Sequence, residues 1–165
     1  DRSRDTHAEE FSYFILPQSR EIMPEGSVLM TAGDADIFTC WYRQVVRGER
    51  RDVLVFGSNF VHRPWYATFF SDQQIADYRL KFAAEVPHGA ESFARQLREG
   101  LLDANVGRVP VFTTLEDPLV LHELSRHYTV RPVAAKGVRG LLPGTAESTV
   151  TLLRLEPLET PPTAP

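Results

Sequence analysis

The fold is decided by residues 27–66, whose sequence is SVLMTAGDADIFTCWYRQVVRGERRDVLVFGSNFVHRPWY. The apolar run at 28–30 ends at a glycine turn, which is typical of a buried parallel strand. An acidic turn and a helical apolar period come next, and residues 52–57 form a second apolar run. The stretch therefore predicts a β-α-β unit, for which a right-handed crossover is expected.

The helix of this unit carries apolar residues at helical spacing, which predicts a face packed on the sheet. These residues are Ile37, Phe38, Trp41 and Val45, with Cys40 and Val46 fitting the period less strictly. Asp34 stands where a helix N-cap is needed, and Asp36 falls in the first turn, where a carboxylate meets the positive end of the helix dipole. We expect Cys40, the single cysteine, to be a small buried residue.

The rest of the chain predicts further helices and strands around this unit. Helical periods cover residues 3–16, 90–104 and 116–128, a short helical turn follows Pro64 at 65–70, and strands are predicted at 108–114, 128–135 and 150–155. Residues 72–86 fit either a short helix or irregular chain. We predict a three-layer, Rossmann-like α/β domain over residues 1–156, with a mostly parallel sheet and an added C-terminal strand or hairpin. The proline-rich residues 157–165 are predicted to be a disordered or extended tail.

Length and charge limit the classes of partner. The 165 residues, 42% of them hydrophobic, suffice for one domain with a core. A net charge of -4 argues against nucleic acid or anionic lipid as the main partner, because such binding needs clustered positive charge. The sequence holds no apolar run of the roughly 18 residues that a membrane-spanning helix needs. We expect a soluble monomer or weak dimer and, since the sequence begins at Asp1 without methionine, a piece of a longer protein.

The acidic turn allows two interpretations. An Asp34-x-Asp36 pair can hold a divalent metal ion through its carboxylates, and through the ion a sugar nucleotide. The same two residues are also explained as a helix cap and a dipole-complementing carboxylate. The second interpretation needs no ligand and is the one we favour.

The loop after the second strand carries the other candidate binding residues. Asn59, His62, Arg63, Trp65 and Tyr66 follow the carboxyl end of a predicted parallel strand, which is where open α/β sheets bind ligands. Aromatic side chains there can stack on sugars or on a peptide, or they can fill the core under the loop. The five histidines have no metal-site spacing, and neither a glycine-rich dinucleotide loop nor a phosphate loop is present, so we predict no catalytic residue and no cofactor.

The same residues resemble a known family. The similarity lies in residues 33–38 (GDADIF), 41–42 (WY), Gln44, 51–53 (RDV) and 65–66 (WY), and it continues through 1–3, 111–113 and 138–143. The chain resembles the extracytoplasmic segment of a multi-spanning membrane protein family, domain of unknown function 2723, which is related to protein O-mannosyltransferases. It departs from the family pattern at Ala35, Ile37 and Thr39, where that pattern has Asn, Thr and Pro.

The resemblance implies an accessory domain on the outer face of a membrane, in the periplasm or at the cell exterior. Its partners would be the membrane helices of its parent protein and a protein or glycan acceptor. It would bind or position the acceptor without bond chemistry of its own, while the parent protein would be the glycosyltransferase. Two alternatives stay open: an interaction module, and a small metal-dependent enzyme that uses Asp34 and Asp36.

Overall fold

The computed structural model describes residues 6–138 and 148–159, and these form an α/β fold with one five-stranded sheet. The helices are α1 (Thr6–Ile15), α2 (Asp34–Val45), α3 (Asp72–Tyr78), α4 (Gly89–Leu97), α5 (Asp103–Asn105) and α6 (Pro118–Ser125). The strands are β1 (Val28–Thr31), β2 (Leu54–Gly57), β3 (Val111–Thr113), β4 (Tyr128–Val138) and β5 (Ser148–Pro157). No helix in this described part is long and apolar enough to cross a membrane.

The sheet is mixed, with the strand order β2-β1-β3-β5-β4. Strand β1 pairs in parallel with β2 and with β3, whereas β5 pairs antiparallel with β3 and with β4. Half of the pairings are therefore antiparallel, and the prediction of a mostly parallel sheet was wrong. The reason is that β4 and β5 are long strands joined by a connection too short for a crossover helix, so they must run antiparallel. The expected C-terminal hairpin is confirmed, and a Rossmann-like layout is not.

The β-α-β unit is confirmed, and its strands lie in the core. All four residues of β1 and all four of β2 are buried, as expected for parallel strands covered on both faces. In the register, Val28 lies opposite Leu54 and Thr31 opposite Gly57. The carboxyl ends of β1 and β2 therefore meet at one edge of the sheet, where the loops at 32–33 and 58–63 begin.

Helix α2 is rotated relative to the predicted packing. Ile37 and Cys40 are fully buried, but Phe38, Val45 and Val46 are exposed. The reason is Arg43, a buried side chain whose Nε donates to Ser12 Oγ of α1 at 2.8 Å and whose Nη1 contacts Glu49 at 2.9 Å. The rotation places apolar side chains of α2 at the surface.

Several other helices also differ from the sequence prediction in their boundaries or their buried face. The ambiguous segment 72–86 contains α3, which Ser71 and Gln74 start with a reciprocal capping box. The predicted helix 90–104 begins as α4 and passes through a π-helical turn at Arg98–Leu102. Leu119 is exposed on α6. Predicted features at residues 1–5, 139–147 and 160–165 lie outside the described residues, so most of the tail and the first residues of the N-terminal helix stay predictions.

Candidate functional site

The acidic turn lies at the carboxyl end of β1, as predicted. The prediction that Asp34 is the N-cap of the helix was wrong. Gly33 occupies the N-cap position with extended backbone, and Asp34 is already the first residue of α2. The carboxylate of Asp34 accepts a hydrogen bond from Asn59 Nδ2 at 3.3 Å instead. Two predicted site residues, 25 positions apart in the chain, are thus brought together.

Asp36 lies in the first turn of the same helix, where its charge complements the dipole. A Cβ atom on Gly33 would lie 3.7 Å from Asp36 Oδ2, so this carboxylate folds back toward the turn. Within the described residues, no group of three or more histidine, cysteine or acidic side chains is placed to hold a metal ion. The metal interpretation of Asp34-x-Asp36 stays an untested prediction.

Hydroxyl groups join the loops at this edge of the sheet. Ser58 Oγ donates to the carbonyl of Ala32 at 3.4 Å, and Thr114 Oγ1 accepts from the amide of Ala32 at 3.2 Å. Thr31 Oγ1 is buried and has no hydrogen-bond partner in the described part of the chain. These contacts fix the loops that follow β1, β2 and β3.

His62 and Arg63 lie at the end of the loop that follows β2. His62 Nδ1 is buried and has no partner among the residues that the structure describes. Burial lowers the pKa of His62, and the neighbouring charge of Arg63 lowers it further. The imidazole is therefore neutral at neutral pH, and Arg63 is exposed.

Tyr66 is a core residue, which decides between the two interpretations of its ring. It is fully buried, and its ring packs against Phe56, Phe70 and Phe82 with centroid distances of 5.0–5.8 Å. Its hydroxyl oxygen accepts a hydrogen bond from the amide of Gly57 at 2.6 Å. Burial raises the pKa of Tyr66 well above its usual value.

Trp65, the next residue in the chain, faces solvent and belongs to a connected set of rings. We call this set the aromatic surface; it consists of Phe38, Trp41, Phe60, Trp65 and Phe69. Trp41 stacks on Phe69 at 4.9 Å with the ring planes 10° apart, and Trp65 contacts Phe60 and Phe69 at 5.3 and 5.7 Å. Trp65 and Phe69 are 49% and 54% exposed. The buried ring of Tyr66 lies next to Trp41, Phe60, Trp65 and Phe69 and supports them from below.

Sequence reasoning selected Trp65 from this surface but missed Phe38 and Phe69. The helical period predicts Phe38 on a buried helix face, and the sequence places Phe69 only within a helical turn. The available signal was the spacing of Trp65 and Phe69, which are four residues apart in the short 3-10 helix Pro64–Phe69. In an α-helical turn that spacing brings two side chains together, and in the structure the rings of Trp65 and Phe69 contact each other at 5.7 Å.

A groove of about 510 Å³ adjoins the aromatic surface along β2, the edge strand of the sheet. Trp41 and Val45 of α2 line it, and so do Phe69 and Phe70. Val53, Leu54 and Val55 also line it, together with Gln44, Arg51 and Gln74. The site is therefore a largely apolar groove beside exposed rings.

A second cavity, of about 420 Å³, lies between α4 and α6 and is polar. Its lining includes Arg95, Arg98 and Arg126, with Glu91 and Glu123 interspersed. Arg98 pairs with Asp103 at 3.3 Å, and Arg126 pairs with Glu123 at 3.1 Å. Positive and negative side chains are therefore mixed around this cavity.

Residues 13–82 match a protein-family model described as TMEM260-associated domain 2. The matched segment is less than half of the chain, and it includes the β-α-β unit, the aromatic surface and the groove. No curated protein and no solved structure matched significantly. The family match indicates a domain associated with a membrane protein and leaves the side of the membrane open.

Proposed function

We propose that this chain is an accessory binding domain of a membrane-embedded, glycosyltransferase-like protein on the extracytoplasmic side. In that role it binds or positions a protein or glycan acceptor and performs no bond chemistry of its own. The membrane-protein association of residues 13–82 supports the setting. The resemblance of the GDADIF, WY and RDV segments to an O-mannosyltransferase-related family supports the link to sugar transfer.

The observation that carries the binding role is the exposure of the aromatic surface. A ligand that covers tryptophan and phenylalanine rings removes their apolar area from water. Aromatic residues therefore supply a large part of many binding free energies. Here Trp41, Trp65 and Phe69 are held in fixed positions by ring contacts, so little side-chain entropy remains to be lost on binding. An ordered set of partly exposed rings beside a groove is suited to binding.

The proposed binding is tested by tryptophan fluorescence, because both tryptophans of the chain belong to the aromatic surface. The probes are manno-oligosaccharides and reduced, alkylated α-lactalbumin as an unfolded polypeptide. We expect a saturable change with at least one probe, weakened about tenfold by Phe69→Ala, which removes a ring without removing a tryptophan. Leu119→Ala is the matched control, since Leu119 is 67% exposed on α6. No saturable change with either probe, or equal loss in both variants, would contradict the binding role.

The proposed setting has a separate test in the gene. Sequence encoding several membrane-spanning helices should lie upstream of the codon for Asp1 in the same reading frame. A reading frame that starts at this domain, or one that encodes only another soluble domain upstream, would remove the membrane-embedded parent from the proposal.

A further inference from the structure

We infer that two copies of this chain associate through the exposed face of α2, with the two α2 helices packed antiparallel about a twofold axis. The inference goes beyond the proposed binding role, because the occupant of this face is a second copy of the chain and not an acceptor. It depends on the spacing of the exposed residues, on the charges at the two ends of the helix and on the apolar area of the face.

Helix α2 has a second apolar face, which is directed away from the core. The inner face buries Ile37, Cys40 and Arg43. We call the exposed residues of the outer face the α2 seam; they are Ala35, Phe38, Tyr42 and Val45. The three larger side chains of the seam are 52–71% exposed. Successive seam residues are three, four and three positions apart, which is the spacing along the contact line of two packed helices. The spacing therefore favours another α-helix as the occupant.

The two ends of α2 carry opposite charges. Asp34 is exposed at the N-terminal end, and Arg47 and Arg51 are exposed after the C-terminal end. The guanidinium of Arg51 donates to two carbonyls in the last turn of α2, at 2.8 and 3.2 Å. Glu49 lies between these arginines in the chain, but its carboxylate pairs with the buried Arg43 at 2.9 Å. Antiparallel packing brings the acidic end of each helix to the basic end of the other, so the face is complementary to its own copy.

Tyr42 marks the position of the twofold axis. It lies midway between Phe38 and Val46 in the chain, and Val46 is 64% exposed beside the seam. An axis at Tyr42 places Phe38 of each copy against Val46 of the other, as a twofold interface requires. The same axis brings Asp34 of one copy near Arg51 of the other, because the Arg51 guanidinium lies at the last turn of α2.

The apolar area of this face is typical of a weak dimer. A fully buried aromatic side chain removes roughly 150–250 Å² from water, and about half of Phe38 and of Tyr42 is exposed. Together with Val45 and Val46, they present on the order of 400 Å² in each copy. This is about half of what each partner contributes to an interface of standard size. We therefore expect a dissociation constant between roughly 10 μM and 1 mM.

Sedimentation equilibrium of the 165-residue chain, at concentrations up to about 1 mM, measures this association. We expect Tyr42→Glu to weaken it at least tenfold, because the twofold axis would bring two carboxylates together in a desolvated contact. Leu119→Glu is the matched control, since Leu119 is 67% exposed on α6, and it should change the dissociation constant less than about twofold. A chain that stays monomeric over this range, or equal weakening by the two substitutions, would overturn the inference.

An exchange of charges tests the antiparallel arrangement. Asp34→Lys and Arg51→Glu should each weaken the dimer, because each variant places like charges together at both ends of the interface. The double variant restores opposite charges and should bring the dissociation constant back to within about threefold of the parent value. A double variant that is folded by circular dichroism and still does not recover would overturn the inference. The fluorescence test of the aromatic surface uses dilute, monomeric chain, so the two proposals fail separately.

Discussion

At the scale of single residues, the buried side chain of Arg43 bears on which face of α2 is exposed. Its guanidinium binds Ser12 of α1 and Glu49 beyond α2, and this arrangement buries a charged side chain that lies outside the predicted apolar face of the helix. A buried charge is tolerated only when paired and hydrogen-bonded, so Arg43 fixes the rotation of α2. Phe38 and Val45 consequently face solvent.

Tyr66→Phe tests the buried hydrogen bond beneath the aromatic surface. The substitution removes the hydroxyl that accepts the Gly57 amide and leaves that buried donor without a partner. We expect a loss of about 1–3 kcal/mol in the free energy of unfolding, measured by urea denaturation. Tyr42→Phe, at an exposed position on α2, should change stability little. Equal midpoints for the two variants would show that the Tyr66 hydroxyl does not carry this role.

Asp117→Ala tests where the aspartate cap lies. The carboxylate of Asp117 accepts from the amides of Leu119 and Val120 at the start of α6, whereas Asp34 caps nothing. We expect thermal denaturation to show a loss of about 1 kcal/mol for Asp117→Ala, a much smaller loss for Asp117→Asn, and less than about half the alanine loss for Asp34→Ala. A larger loss for Asp34→Ala than for Asp117→Ala would restore the capping interpretation of Asp34.

At the scale of elements, the β-α-β unit was predictable and its orientation was not. Strands β1 and β2 and helix α2 follow from local apolar periods and from the turn at Gly33, which are contained in 30 consecutive residues. The rotation of α2 depends on a contact between Arg43 and Ser12, which lie 31 positions apart, and no local period reports it. The same limit applies to Leu119, whose exposure depends on how α6 packs against α4.

The candidate site was predictable to a similar extent. Asn59 and Asp34 were both selected from their positions after parallel strands, and they do meet. Tyr66 and Trp65 are adjacent in a short 3-10 helix, and only the packing of its two faces decides which ring is buried. The groove could not be predicted, because its walls come from α2 and from residues 69–74, whose separation is set by tertiary packing.

The π-helical turn after α4 offers a test at this scale. A Cβ atom on Gly100 would lie 2.8 Å from the backbone oxygen of Lys81. The backbone amide of Lys81 donates a hydrogen bond to the carbonyl of Gly100, so the two segments are held close together. Gly100→Ala should therefore destabilise the fold by about 1–3 kcal/mol in urea unfolding, despite the better helix propensity of alanine. Glu99→Ala is the control at an exposed neighbouring position. A Gly100→Ala variant with a higher free energy of unfolding than the parent chain would show that residues 80–82 move aside at little cost.

At the scale of the whole molecule, the sheet has a parallel half and an antiparallel half. The hairpin of β4 and β5 forms one side of the sheet, and the short strand β2 forms the edge on the other side. Natural proteins cover or shorten such edges because an open strand pairs with other chains. Here side chains bond the edge at Val53 and Gly57, and Val55 between them is buried, which limits pairing with other chains.

Acid stability reports on the Arg50–Asp52 ion pair, whose arginine also donates to the carbonyls of Leu16 and Met23. Burial alone raises the pKa of Asp52, but hydrogen bonds and charge from Arg50 outweigh it, so the pKa is lowered in the folded chain. The unfolded carboxyl takes up a proton at higher pH than the folded one, so this contribution to stability is present above pH 3.8 and is lost as the pH falls below that value.

The variant Asp52→Asn should therefore show a shallower loss of unfolding free energy below pH 3.8 than the parent chain does. Urea titrations between neutral pH and acid measure this slope. Glu85→Gln, at an exposed loop position, is the control and should leave the slope close to that of the parent. An unchanged acid slope in Asp52→Asn would contradict the assigned role of the Arg50–Asp52 pair.

The most direct test of the account is chemical-shift mapping of the ¹⁵N-labelled chain during titration with reduced, alkylated α-lactalbumin and with manno-oligosaccharides. If the aromatic surface and the groove form the binding site, the largest shifts should fall on residues 38–45, 55–60 and 65–70, including the indole signals of Trp41 and Trp65. Shifts concentrated between α4 and α6, around Arg95 and Arg126, or no shifts with either probe, would contradict it.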